Sequence, residues 1–198
     1  MLLSYHELKR DVQAACVMSH YAADGTYAQV PDSFVNSSSI DVTLGTKLLA
    51  EVRDPKLKKD SLTVLTLRDR DAITTEEVPL SADEPFLLYP GAFALAHTTE
   101  VFHLPMDLSA EFRLKSSAGR MGLSHALAVW CDAGWHGSVL TLELHNISTE
   151  HIVALHAGDR IGQMIFHRHA LVPRDRSYAV RGNYNGDVSV QPARPAKN

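Results

Sequence analysis

The sequence predicts a mainly β domain with a helix at its N-terminus, and three observations lead there. Short apolar runs recur along most of the chain, turn pairs such as Pro90-Gly91 and Gly158-Asp159 separate them, and the helical apolar spacing that stands out lies before residue 20. The runs are Leu62 to Leu67, Phe86 to Tyr89, Ala92 to Ala96, Phe112 to Leu114, Val139 to Leu144, Ile152 to Leu155 and Ile161 to Phe166. That rhythm suggests a sandwich or a barrel.

Taken in order, Ser4 with Glu7 three positions later is a capping-box pattern. Tyr5, Leu8, Val12, Ala15 and Cys16 then follow helical spacing, which predicts an amphipathic packing helix over about residues 5–18. A polar loop ends in Asn36-Ser37-Ser38-Ser39, and Ile40 to Gly45 alternates apolar with polar residues, as a half-buried strand does. The charged breaks Arg53 to Asp60 and Arg68 to Asp71 are expected as surface excursions, and Pro192 to Asn198 as a mobile tail. No internal repeat is seen, and the 198 residues, 45% of them apolar, suit one domain over 1–198.

Composition also bounds function. The formal charge is -4, the pI is near 6.2, and no long block of Lys or Arg occurs, which argues against a nucleic-acid polymer as ligand. Cys16 and Cys131 stand far apart and outside any C-x-x-C pattern, so neither a disulfide framework nor a cysteine zinc site is indicated and a reducing cytoplasm is expected. No apolar run approaches the roughly 18 residues that span a bilayer, so neither export nor membrane insertion is expected.

Three segments carry chemistry. Lys115-Ser116-Ser117-Ala118-Gly119-Arg120 sets two cations, two hydroxyls and turn amides within six positions, a cradle for phosphate oxygens; a polar Ser-Ser turn at a strand end explains the same residues. Glu143 interrupts Val139-Leu140-Thr141-Leu142-Glu143-Leu144, where alternation puts it on the face of Val139 and Thr141, opposite Leu140, Leu142 and Leu144. That face is either wet or lines a pocket, and in a pocket desolvation raises the carboxyl pKa toward neutrality, where it can shuttle protons. Asp132 opens the turn Asp132-Ala133-Gly134-Trp135-His136-Gly137, and Trp135 offers a flat ring to a sugar or to the core. His167 and His169 share a strand face, but two histidines without a third ligand make a weak zinc site, and the zinc deaminase signature is absent.

Together these segments resemble the trimeric deoxycytidine triphosphate deaminase family, which shares its fold with deoxyuridine triphosphatases. The resemblance runs through Ser38 to Gly45, Phe86 to Leu104, Lys115 to Leu123, Asp132 to Asn146 and Ala157 to Gln163. It implies a distorted jelly-roll-like β-barrel with an N-terminal helix, a homotrimer with active sites between subunits, no zinc, and magnesium carried on the triphosphate. By the same resemblance Glu143 is the catalytic glutamate, and Ser116 and the Ala128 backbone hold the attacking water. Arg120, Lys115 and Ser117 belong to the phosphate motif. Asp132 takes the deoxyribose 3'-hydroxyl, with Trp135, Thr141, Gln163, Tyr178 and Asp187 as further substrate contacts. Residues from about 176 to 198 form a closing segment. The activity implied is hydrolytic deamination of dCTP, or a close modified relative, to dUTP.

The chain departs from the family pattern at several points. Lys115 stands where the family has Arg, keeping the charge but losing the bidentate fork. The usual Lys-Tyr-x-Gly-Gln appears as Asn183-Tyr184-Asn185-Gly186-Asp187, and an ionised Asp187 accepts hydrogen bonds but cannot donate one. The Leu123 to Asp132 hairpin is one residue shorter than expected. Gln163 resembles a glutamine of bifunctional members that also remove pyrophosphate, so a bifunctional deaminase and triphosphatase, or a dUTPase-like pyrophosphatase releasing the monophosphate, is an alternative, and a non-catalytic nucleotide-binding regulator is another.

Overall fold

Ser4 donates from both its backbone N–H and its hydroxyl to Glu7 Oε2 (2.9 Å each), and this reciprocal cap starts α1 (Tyr5–Glu7). The chain continues as a π-helical turn over Leu8–Val12, which buries Leu8 and Val12 on one side. A computed structural model describes residues 1–13, 18–21, 27–57, 61–70 and 72–195; residues 14–17 of the expected helix fall outside these. The helix expected to reach residue 18 is therefore shorter, because Met18 already belongs to a strand.

The strands are β1 (Met18–Tyr21), β2 (Tyr27–Ala28), β3 (Ile40–Thr43), β4 (Lys47–Glu51), β5 (Thr75–Pro79), β6 (Phe86–Leu88), β7 (Phe93–His103), β8 (Leu108–Leu114), β9 (Leu123–His125), β10 (Trp130–Cys131), β11 (His136–Asn146), β12 (Val153–Leu155) and β13 (Arg160–Arg168). Two short helices, α2 (Ser116–Arg120) and α3 (Tyr178–Arg181), follow β8 and β13. One sheet runs β2-β1-β7-β11-β9, with β4 also on β7 and β5 on β4; a second runs β10-β8-β13-β3; β12 pairs with β6. Every described pairing is antiparallel.

The two larger sheets share one core. Phe102 and Leu142 reach it from the first, Phe112 and Phe166 from the second, and all four are fully buried. Burying each such side chain stabilises by roughly 1.5–3 kcal/mol. The fold is mainly β, as expected, but among the described residues the sheets stay open and do not close into a barrel.

Three local expectations are corrected. The strand at Ile40 is buried at all four positions, because its polar residues have partners inside the protein. Asp41 accepts from Asn36 Nδ2 at 2.8 Å and Lys115 Nζ at 2.9 Å, and Thr43 gives its N–H and hydroxyl to the Glu100 carboxylate at 2.9 and 2.8 Å. The Leu62 to Leu67 run forms no strand, and Leu62, Val64 and Leu67 lie exposed between the two charged excursions. Pro192 to Pro195 of the expected tail packs against the protein, and residues 196–198 fall outside those described.

Gly162 lets β13 cross Phe112: a Cβ at this position would stand 2.1 Å from the ring and 2.8 Å from the Arg113 carbonyl oxygen. Gly162→Ala is expected to cost roughly 1–3 kcal/mol by overpacking, read as a lower midpoint in chemical denaturation.

Candidate active site

β11 lies between β7 and β9, with Glu143 opposite Leu95 and Leu144 opposite His125. Its register against β7 slips twice, between His136 and Ser138 and between Val139 and Thr141. Such bulges turn side chains and release backbone groups from the ladder. Here the Leu140 N–H goes to Thr98 Oγ1 (3.0 Å) and the Val139 N–H to the Asp187 carbonyl (2.8 Å).

A cavity of about 470 Å³ opens over this strand. Six residues expected from the sequence line it: Ala128, Trp135, Thr141, Glu143, Tyr178 and Asp187. Phe93 and Leu95 from β7 with Trp130 and Cys131 from β10 make much of the wall apolar. The Glu143 side chain is 24% exposed, and burial lifts its carboxyl to about 7, offset in small part by its own N–H. Its Oε2 has no hydrogen-bond partner, although His125 Nε2 approaches to 3.2 Å. Burial holds His125 at about 4, so the imidazole is neutral near pH 7. Burial likewise pushes the Cys131 thiol and the Tyr178 phenol up, so both stay protonated.

Trp135 serves the core as much as the cavity. Its ring stacks on Phe102 with centroids 5.3 Å apart, and its Nε1–H donates to the Tyr184 carbonyl at 3.0 Å. That bond begins a ladder of contacts from the C-terminal segment to the start of β11. Ser138 Oγ donates to the Tyr184 carbonyl (2.9 Å), Asn185 Oδ1 accepts from the His136 N–H (2.8 Å), and the Gly186 N–H reaches Ser138 Oγ (2.9 Å). Gly182 is required nearby, since a Cβ there would fall 2.1 Å from the Tyr178 ring.

Beyond Asp187 the chain turns back over the cavity, with Gln191, Pro192 and Ala193 lining it. Arg194 closes this turn with both guanidinium nitrogens on the Asp187 carboxylate, at 3.0 and 2.8 Å. A further bond joins Arg194 to Gln191 Oε1, and the guanidinium lies over the Tyr184 ring at 5.3 Å.

The other expected residues lie outside the cavity wall. Lys115 is drawn to Asp41, a carboxylate only 3% exposed that Arg160 also approaches at 3.5 Å. Ser116, Ser117 and Arg120 form the exposed helix α2 beside it. Gln163 accepts from Ser39 Oγ at 2.7 Å. Asp132 is exposed and takes the Trp130 Nε1–H at 2.8 Å, which places it one side chain away from the cavity. His167 and His169 turn to Glu111 (3.3 Å) and Ser109 (2.9 Å) respectively. Among the described residues no three of the His, Cys, Asp and Glu side chains gather to hold a metal, and no helix is long and apolar enough to cross a membrane.

Sequence reasoning passed over His125, Trp130 and Arg194. For His125 a signal existed: it ends a short run facing β11 in the segment carrying Ala128. Nothing in the spacing announces Arg194, whose role comes from the chain folding back on Asp187.

Residues 8–169 match the family model described as dCTP deaminase-like. The dCTP deaminase, dUMP-forming, of Acidothermus cellulolyticus is 36% identical over 208 residues, covering 100% of this chain and 97% of that protein. The protein of the same name from Bifidobacterium longum is 33% identical over 202 residues, covering 100% of this chain and 96% of its own length. Among solved structures, the 2'-deoxycytidine 5'-triphosphate deaminase from Agrobacterium tumefaciens superposes with a TM-score of 0.61 at 22% identity. That superposition takes in 87% of this chain and 50% of the other, and it establishes likeness of fold. The chain belongs to the dCTP deaminase-like family.

Proposed function

We propose that this protein is an enzyme that deaminates dCTP and then releases pyrophosphate to give dUMP. One observation carries the chemistry: a glutamate carboxyl set in a largely apolar cavity, titrating near neutrality, with an oxygen that no hydrogen bond occupies. A group in that state can take a proton from water and give it up within one turnover. The names of the relatives, each dUMP-forming, favour the monophosphate over the dUTP expected at first as final product.

In this reading water attacks C4 of cytosine while Glu143 takes one of its protons and delivers it to N3. The tetrahedral intermediate then gives its hydroxyl proton through Glu143 to the amino group. The C4–N bond breaks, ammonia leaves and the C4 carbonyl forms. Ser116 and the Ala128 backbone orient the water, a placement that general base catalysis depends on. A second water, activated by Asp132, attacks the α-phosphorus and expels pyrophosphate, with Gln163 serving this step. Magnesium carried on the triphosphate of the substrate would offset part of its negative charge.

Lys115, Ser116, Ser117 and Arg120 do not line the cavity that holds Glu143, which supports a site completed by a neighbouring copy in a homotrimer. The segment from about residue 176 onward closes the cavity. Arg194 on Asp187 restores a donor beside the acceptors, so the pair offers both capacities of the amide that stands there in the family.

Purified protein with magnesium and a panel of deoxynucleoside triphosphates should release ammonia and pyrophosphate from dCTP in equal amounts. Ammonia alone would leave dUTP as product, pyrophosphate alone would mark a triphosphatase, and tight binding with neither would mark a regulator. Glu143→Gln should abolish ammonia release while nucleotide affinity stays within about twofold, since shape is kept and the proton acceptor is lost. Asp187→Gln should change the order of kcat/KM across the panel; an unchanged order means Asp187 does not read the base.

The Glu143→Gln variant also tests the burial. The folded carboxyl titrates near 7 and an unperturbed glutamate near 4.5, so folding retains a proton across that window. The contribution is fully present below pH 4.5 and is lost as pH rises through 7. The variant should thus match the wild type at about pH 4 and exceed it by about 1–2 kcal/mol at about pH 8, measured by denaturant titration at both.

A further inference from the structure

We propose that His125 is a positioning residue for Glu143: its imidazole keeps its proton on Nε2 and donates it to Oε2, fixing the carboxylate relative to the loop that carries Ala128. The proposal rests on the reading of Glu143 as the proton-transfer group.

The imidazole ends β9 and is enclosed, with 3% of its side chain exposed and its ring tilted against Phe112 at 4.9 Å. It meets three groups. The Leu127 N–H points at Nδ1 (3.3 Å), the Glu143 N–H at Nε2 (3.4 Å), and Glu143 Oε2 stands 3.2 Å from the same Nε2. A neutral imidazole has one N–H, so these contacts cannot all be met together. With the proton on Nδ1, the Leu127 amide faces another N–H and an ionised Oε2 faces a lone pair. With the proton on Nε2, Leu127 keeps its acceptor and Oε2 gains a donor, while the Glu143 N–H, the longest of the three contacts, faces another N–H. The second arrangement satisfies more groups. Oε2 stands 3.2 Å from Nε2 and has no competing partner.

The loop gives this bond its use. Leu127 adopts φ +63°, a left-handed conformation rare for a branched side chain, and its N–H on His125 Nδ1 helps to hold it there. Ala128 follows directly. The Ala126 N–H donates to the Glu143 carbonyl at 3.2 Å, tying the other side of the turn to the same strand. One imidazole thus links the carboxylate on β11 to the backbone proposed to bind the attacking water. Elsewhere around Glu143 the titratable groups are Cys131, Tyr178 and Tyr184, together with Asp187, whose charge Arg194 balances. From β7 the neighbours are Phe93 and Leu95, which do not titrate.

Two isosteres separate the halves of the ring. Glutamine sets its amide nitrogen near the Nε2 position, keeping the donor to Glu143, whereas asparagine reaches only to Nδ1 and keeps the Leu127 contact. His125→Gln, which keeps the donor to Glu143 and gives up the Leu127 contact, should leave the acid limb of the pH profile unchanged while kcat falls less than in His125→Asn. His125→Asn should lower kcat roughly ten- to hundredfold with KM little changed, and should move the acid limb to higher pH because the carboxylate has lost a donor. The Glu143 carboxyl titration, followed by 13C-glutamate NMR in the nucleotide-free protein, reads the same contact without turnover: its midpoint should rise in His125→Asn and stay in His125→Gln. If the two variants titrate alike, or both match the wild type, His125 does not hold Glu143 and the proposal is overturned. If the NMR shift appears but no variant or wild type releases ammonia, the contact stands and the deaminase reading fails.

Discussion

An acid placed in the middle of an apolar strand is the constraint around which the rest of this molecule is arranged. Asp41, Glu100 and Glu143 are among the carboxylates withdrawn from water here, and each is accommodated differently. Asp41 lies between Lys115, Arg160 and Asn36, so its charge is met by charge and by a donor. Glu100 receives the N–H and hydroxyl of Thr43, and burial still raises its carboxyl to about 7. Glu143 has an apolar wall and an imidazole too deeply buried to protonate near neutrality. Removing an ionised carboxylate from water costs several kcal/mol unless partners compensate. Glu143 therefore stores proton affinity, whereas Asp41 anchors structure.

The start of β11 shows how the fold keeps that acid accessible to a ligand and shielded from bulk water. A regular strand would spend its hydrogen bonds on the neighbours in the ladder. The two register slips instead turn the Val139 N–H to the Asp187 carbonyl and the Leu140 N–H to Thr98, so the C-terminal segment docks on backbone that the sheet leaves available. Tyr184 then receives both Trp135 and Ser138 on one carbonyl oxygen. The cover over the cavity is thus specified by main-chain accounting more than by apolar packing. Its outermost clasp, Arg194 on Asp187, is a part-exposed ion pair, and such pairs contribute modestly to stability. In the function proposed above, a modest clasp suits a segment that moves aside for an entering nucleotide.

This difference explains what could be read in the sequence. Strands with apolar runs, such as Phe93 to Ala96 or Ile161 to Phe166, announce themselves because burial on a sheet demands period-two or continuous apolar residues. Glu143 was legible for the same reason, as a break in such a pattern. β4, β5 and β9 carry Lys, Glu or Ser along strands with wet positions, and β10 is two residues long, so no periodicity marks them. Leu62 to Leu67 has the pattern without a facing strand, and pattern alone cannot supply one. The partnership of His125 with Glu143 joins residues 18 apart through a strand pairing, and Arg194 finds Asp187 through a reversal of the chain. Neither distance is encoded in local spacing.

The segment proposed to bind phosphate carries the same reasoning one step further. Lys115 is held to Asp41 on the second sheet, and α2 begins at the following residue, so the cations of Lys115 and Arg120 are positioned by the β3–β13 side of the core. Glu143 is positioned by the first sheet, under the C-terminal cover. Within one protomer the cavity that holds the acid is not lined by these cations. In the assembly proposed above, proton chemistry and phosphate recognition come from different copies of the chain. Each copy can then fold each half for its own requirements, desolvation for the acid and exposure for the cations, which a single compact pocket would set against one another.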